Sequence, residues 1–114
     1  MKKIAIMNCL KANQVCAGVS CLDALRERRG GFACYQGEDV DLCAFLRCSN
    51  CGEALEKDRG MTEKLERLVH SGVETVHIGV CAQMKGIRCK TMESYANWLE
   101  QHGISVIWKT HDSH

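Results

Sequence analysis

The sequence predicts an α/β fold, a parallel sheet covered on both faces by helices, and three observations predict it. Four short apolar runs recur along the chain, at residues 3–8 (KIAIMN), 42–47 (LCAFLR), 75–80 (TVHIGV) and 104–109 (ISVIWK). Their hydrophobicity is nearly continuous rather than alternating, as in strands buried on both faces. Stretches with helical periodicity lie between them. Each of these stretches ends at a glycine, after which a new strand pattern follows.

In chain order, the first strand pattern is residues 3–8. A helix is expected over 21–29, with Ser20 as N-cap, Leu22 and Leu25 facing the core, and Gly30-Gly31 stopping it. Residues 32–36 (FACYQ) form an extra piece, an edge strand or part of a hairpin with the second strand pattern at 42–47. A turn over 53–59 leads to a helix over 62–71, with Leu65, Leu68 and Val69 on one face and Gly72 at its end. The third strand, 75–80, is followed by a helix over 91–102 carrying Met92, Tyr95, Ala96 and Leu99 at i, i+3, i+4 and i+7. Gly103 ends it before the last strand. Right-handed crossovers then build a small three-layer flavodoxin-like (Rossmann-like) fold with a four-stranded parallel sheet in the order 2-1-3-4 and about three helices.

At 114 residues, with 46% apolar and 25% charged side chains, the chain is expected to form one domain over residues 1–114. A net charge of +1 gives no basic excess that would point to nucleic acid or anionic lipid. No run approaches the roughly 20 apolar residues of a membrane helix. Lys2 and Lys3 precede only Ile4 to Met7 as an apolar stretch, short of the roughly 7 to 15 residues of a secretory segment, so the expected compartment is cytoplasmic. There thiols stay reduced. Nine cysteines, about 8% of the chain, then point to metal or redox chemistry rather than structural disulfides.

The strand assignment gives the cysteines places. Cys9 follows the first strand, Cys48 the second and Cys81 the third, and in a parallel sheet those ends share one edge, where such folds bind ligands. Scattered independently, cysteine would occupy three specified positions roughly 5 times in 10,000. Cys48-Ser-Asn-Cys51-Gly52 adds a fourth thiol at C-x-x-C spacing, which lets two sulfurs approach one metal. The fourth strand leads to Lys109-Thr110-His111, an imidazole near the same edge. Either Cys9, Cys48, Cys51 and Cys81, or three cysteines with His111, make a sulfur-rich site suited to a zinc ion or a 4Fe-4S cluster and unsuited to calcium or magnesium. His77, inside an apolar strand, supports or completes that site.

Cys16 and Cys21, in the loop after the first strand, and Cys89, after the third, form a second candidate group. Cys34 and Cys43 are expected to be packed inside, and His70, His102 and His114 to lie at the surface. Met92, Tyr95 and Trp98 are expected to pack rather than to hold a cofactor. Two enzyme motifs are excluded. Low-molecular-weight phosphatases and their arsenate reductase relatives place five residues between a nucleophilic cysteine and an arginine, but the sixth residue after Cys9 is Val15, and after Cys81 the arginine comes one position late, at Arg88. Neither a P-loop nor a dinucleotide fingerprint is present.

Cys48-Ser-Asn-Cys51-Gly52 after an apolar strand, then Val76-His-Ile-Gly-Val-Cys81 and Trp108-Lys-Thr-His111, resembles the CGGC-domain family of metal-binding proteins. The resemblance runs from Cys9 to His111, with Ser49-Asn50 where the family usually has Gly-Gly. It implies metal binding, with zinc suggested, and no particular reaction. Three functions follow as expectations: a metal-binding protein holding zinc or an iron-sulfur cluster, a carrier passing metal, cluster or electrons to a protein partner, and, as the alternative, a thiol/disulfide redox enzyme using Cys48 and Cys51.

Overall fold

The computed structural model describes residues 1–10, 16–48, 53–82 and 88–111. Within them the chain runs β1 (Lys2–Asn8), α1 (Val19–Glu27), a 3₁₀ helix (Gly30–Tyr35), β2 (Val40–Arg47), a 3₁₀ turn (Leu55–Lys57), α2 (Arg59–His70), β3 (Thr75–Ile78), a second 3₁₀ turn (Val80–Ala82), α3 (Lys90–Gln101) and β4 (Ser105–Ile107). The four strands form one parallel sheet in the order β2-β1-β3-β4, as the sequence predicts.

Residues 4–8 of β1, in the middle of the sheet, are all buried. Ile4 and Ile6 face a core made with Cys21, Ala24, Phe32 and Tyr35 from α1 and the first 3₁₀ helix. Ala5 and Met7 face the larger core, made with Met61, Leu65 and Leu68 of α2 and Met92, Tyr95, Ala96 and Leu99 of α3. Helices therefore cover both faces, which is why the strand patterns are continuous rather than alternating.

Several boundaries differ from the sequence expectation for identifiable reasons. Residues 32–36 are not an edge strand. Gly30–Tyr35 is a 3₁₀ helix because Phe32 and Tyr35, three residues apart, fall on one side of such a helix and bury together. Gly31 makes it possible: its N–H donates to Thr110 O at 2.8 Å, and a Cβ there would overlap the Lys109 carbonyl. Helix α1 begins at Val19 with Gly18 rather than Ser20 as its N-cap, and it ends at Arg28 rather than at the glycines. Arg28 adopts the left-handed conformation (φ 54°) that favours glycine, while its guanidinium donates to the carbonyls of Leu25, Tyr35 and Glu38. Helix α2 starts three residues earlier than expected because Asp58 caps it, accepting the Met61 N–H at 3.0 Å. Helix α3 lies within one residue of its predicted span. Cys34, expected inside, is exposed, and Cys43 is half-buried against the larger core.

A register shift sits in the β1–β2 pairing. Ile4 pairs with Leu42 but Ala5 pairs with Ala44, which leaves Cys43 as an extra residue in β2. Val40 and Leu42 pack on the α1 face, whereas Ala44, Leu46 and Cys48 join the α2–α3 face. A one-residue slip of this kind moves every later side chain to the opposite face.

Candidate functional site

The carboxyl ends of β1, β2 and β3 bring Cys9, Cys48 and Cys81 to one edge of the sheet. Cys48 N–H donates to Asn8 O at 3.3 Å and Gly79 N–H to Met7 O at 3.0 Å, so the strand ends stay in register just where the cysteines emerge. Two thiols then accept hydrogen bonds from the backbone that leaves β1. Cys9 N–H donates to Cys81 Sγ at 3.2 Å, and Leu10 N–H donates to Cys48 Sγ at 3.1 Å. Burial pushes the Cys81 thiol up from its ordinary value; the Cys9 N–H pulls it down, and the nearby thiols of Cys9, Cys21 and Cys16 push it up further.

Asn8, wholly buried at the end of β1, is the polar residue that sequence reasoning passed over. Its carboxamide lies 3.8 Å from Cys21 Sγ, and a Cβ on Gly79 would overlap its Oδ1 and come within 3.2 Å of Cys81 Sγ. Gly79 is therefore the space into which Asn8 and Cys81 pack. The one signal available in the sequence was the position of Asn8, a polar residue closing an apolar strand directly before Cys9. Thr110, also wholly buried, places its Oγ1 3.1 Å from Cys21 Sγ.

His77 is fully buried on the α1 face of β3. Its Nδ1–H donates to Lys109 O at 3.1 Å, which leaves Nε2 to accept from the Tyr35 hydroxyl at 2.7 Å. Both nitrogens have protein partners, and the Phe32 ring lies 4.4 Å away. Burial, partly opposed by the Lys109 hydrogen bond, holds the imidazole below its usual 6.5, and burial foremost pushes Tyr35 up to about 12. The pair is thus neutral and acts as a buried strut between β3, the 3₁₀ helix and the end of β4.

The remaining candidates divide between the two faces. Cys16, Cys21 and His111 line one cavity of about 270 Å³ at the start of α1. Cys89, at the N-cap of α3, packs against the core on the opposite face, with Cys48. Cys51 lies outside the described residues, as does His114. Among the described residues no three Cys, His, Asp or Glu side chains are arranged to hold a metal ion. No helix among them is long and apolar enough to cross a membrane.

A three-layer α/β fold whose parallel sheet presents thiols at its carboxyl edge defines the class of protein. The particular family follows from comparison with known families: the CGGC domain matches residues 3–111, and the chain belongs to that family. Its name-giving tetrapeptide is Cys48-Ser-Asn-Cys51 here. Neither the curated proteins nor the solved structures provide a match.

Proposed function

We propose that this chain is a metal-binding protein whose centre is formed by Cys9, Cys48, Cys51 and Cys81, with His111 as the alternative fourth ligand and His77 as outer support. The observation that carries it is the pair of backbone N–H groups of Cys9 and Leu10 aimed at the sulfurs of Cys81 and Cys48. An N–H donated to sulfur favours the thiolate, the form that binds metal, and such bonds tune thiolate-ligated centres. The donor chemistry fits a soft, tetrahedral group. Three of the ligands come from adjacent strand ends; the fourth, Cys51, follows Cys48 at C-x-x-C spacing in the sequence. A zinc ion would supply a closed structural centre, and a 4Fe-4S cluster would supply one-electron chemistry. Zinc is the leading assignment, from the family resemblance. A carrier role, passing the metal or cluster to a protein partner, is compatible with the same ligands.

The thiol/disulfide alternative at Cys48 and Cys51 is less well supported. A reactive C-x-x-C places its first sulfur at a helix N-terminus, whereas among the described residues after Cys48, 53–54 are not helical and a 3₁₀ turn begins at Leu55. Cys48 is also buried.

Anaerobic purification followed by metal analysis and a visible spectrum tests the proposal. One equivalent of zinc in a colourless protein is expected, lost in Cys48→Ser and Cys81→Ser. Stoichiometric iron with broad visible absorption would replace zinc by the cluster. A metal-free protein whose Cys48 is rapidly alkylated would overturn metal binding in favour of the redox alternative.

A further inference from the structure

Strand β2 is one margin of the sheet, pairing among the described residues with β1 alone. Residues 40–47 make no backbone–backbone hydrogen bond outside that ladder among the described residues. An open margin of this kind presents N–H and C=O groups that another strand can take up. The ladder itself fixes which groups these are. Lys2 N–H donates to Asp39 O at 3.1 Å and Cys48 N–H to Asn8 O at 3.3 Å, so Asp39 O and Cys48 N–H point toward β1. A trans peptide directs its N–H and C=O oppositely, so Val40 N–H and Arg47 C=O point outward. Every second residue shares a direction, which adds Leu42 to Val40 and Phe45 to Arg47. The extra residue at Cys43 separates the two pairs.

All four side chains lie on the α1 face. Val40 and Leu42 pack there, the Phe45 ring lies against Gly18 at the N-cap of α1, and Arg47 Nη2 donates to Cys16 O at 3.3 Å. Because the shift falls between the pairs, β2 matches a reversed copy of itself in one register: Phe45 opposite the partner's Leu42 and Arg47 opposite the partner's Val40. There each outward residue meets an outward residue, and each side chain meets one from the same face. Charge follows the same reversal. Glu38, Asp39 and Asp41 are exposed at the start of β2. At its end Lys64 Nζ donates to the outward Arg47 O at 3.0 Å, which sets a second cation beside Arg47. None of these five enters an ion pair among the described residues. Antiparallel pairing sets the acidic end against the basic end twice, whereas parallel pairing would set like against like.

We propose that this chain forms a two-fold dimer through β2, strand against antiparallel strand, which joins the two four-stranded sheets into one. Phe45, 37% exposed in the single chain, is then covered by the partner's Leu42. The pairing uses no side chain of the proposed metal centre, so it stands or fails separately from metal binding.

Sedimentation equilibrium of the full chain as purified tests the dimer, under reducing conditions that keep the exposed Cys34 from linking copies. A mass twice that of one chain is expected at micromolar concentration. Phe45→Lys should weaken self-association at least about tenfold, and so should Asp41→Lys and Lys64→Glu, each of which acts twice in a two-fold interface. An equimolar mixture of Asp41→Lys and Lys64→Glu should associate more tightly than either variant alone, since only the mixed dimer sets Lys at 41 against Glu at 64. Hydrogen exchange reads the strand directly. The Phe45 and Arg47 amides should exchange at least about tenfold faster on dilution to monomer, while that of Leu46, which faces β1, should not change. The proposal is overturned if the chain stays monomeric up to about 100 μM, or if a dimer forms that none of the three substitutions weakens. It is also overturned if mixing the two folded charge variants restores nothing, or if the Phe45 and Arg47 amides exchange alike in monomer and dimer. Should Lys64→Glu fail to fold, Phe45→Lys and the exchange pattern still decide.

Discussion

Asn8 and Gly79 form a contact whose cost can be measured. With Asn8 Oδ1 occupying the space beside the Gly79 Cα, a methyl group there must displace a buried carboxamide. Gly79→Ala should destabilise the chain by about 1 to 3 kcal/mol, the usual cost of forcing extra volume into a packed interior. The double variant Asn8→Ala/Gly79→Ala should recover part of that loss, and a urea-unfolding cycle measures the coupling; strictly additive losses would show that the two residues do not share this space. The neighbouring strut titrates. His77 is held below 6.5 in the folded chain, so between that lowered value and 6.5 the unfolded chain binds more protons, and stability rises with pH. The contribution is fully present above about pH 6.5 and is lost as pH falls through the folded value. Urea midpoints across that window should slope in the wild type and flatten in His77→Phe. Tyr35→Phe removes the donor to Nε2 and should cost about 1 to 3 kcal/mol at neutral pH. No loss in that variant would remove the strut from the account.

At the scale of elements, the extra residue at Cys43 matters most. If β2 paired with β1 without a shift, Cys48 would fall on the face of Val40 and Leu42, and the shift transfers it to the α2–α3 face. Hydrophobic runs cannot reveal such a shift, because in a strand buried on both faces either parity is apolar. Strand identity, order and the position of Cys48 at a strand end were legible; the face was not. Helix starts show the same division. The periodicity of α2 marks its apolar face, while its first residues follow from the Asp58 cap, which needs the backbone to present the Met61 N–H. Asp58→Ala should cost about 1 kcal/mol, read as a shift in thermal or urea midpoint with unchanged helix content. An unchanged midpoint would mean that the cap is replaced by solvent. In the sequence, residues 32–36 read as an edge strand or part of a hairpin because Phe32 and Tyr35 have β propensity, and that propensity yields to the 3₁₀ helix Gly30–Tyr35, in which the two rings bury together.

For the whole molecule, the proposed centre joins the ends of three strands across a large span of sequence, so metal loss should be felt by the entire fold. A metal held at a thousand times its Kd stabilises a chain by about 4 kcal/mol. At roughly 4 to 8 °C per kcal/mol for a domain of this size, treatment with a strong chelator should lower the melting midpoint by at least about 15 °C. Differential scanning calorimetry before and after metal removal checks this, and a shift of less than about 3 °C would mean that the metal is not coupled to folding. The sequence by itself determined the α/β class, the strand order and the cysteines at the ends of β1 and β2 and shortly after β3, because buried parallel strands and glycine-terminated helices leave patterns in local order. Only the tertiary structure decided which sulfurs meet which polar groups: the N–H of Leu10 with Cys48, the N–H of Cys9 with Cys81, and the side chains of Asn8 and Thr110 with Cys21. Those pairings depend on register, on the space left by Gly79 and on the crossing of segments up to 89 residues apart in sequence. Residue spacing does not encode such geometry, because close packing of the two cores fixes it.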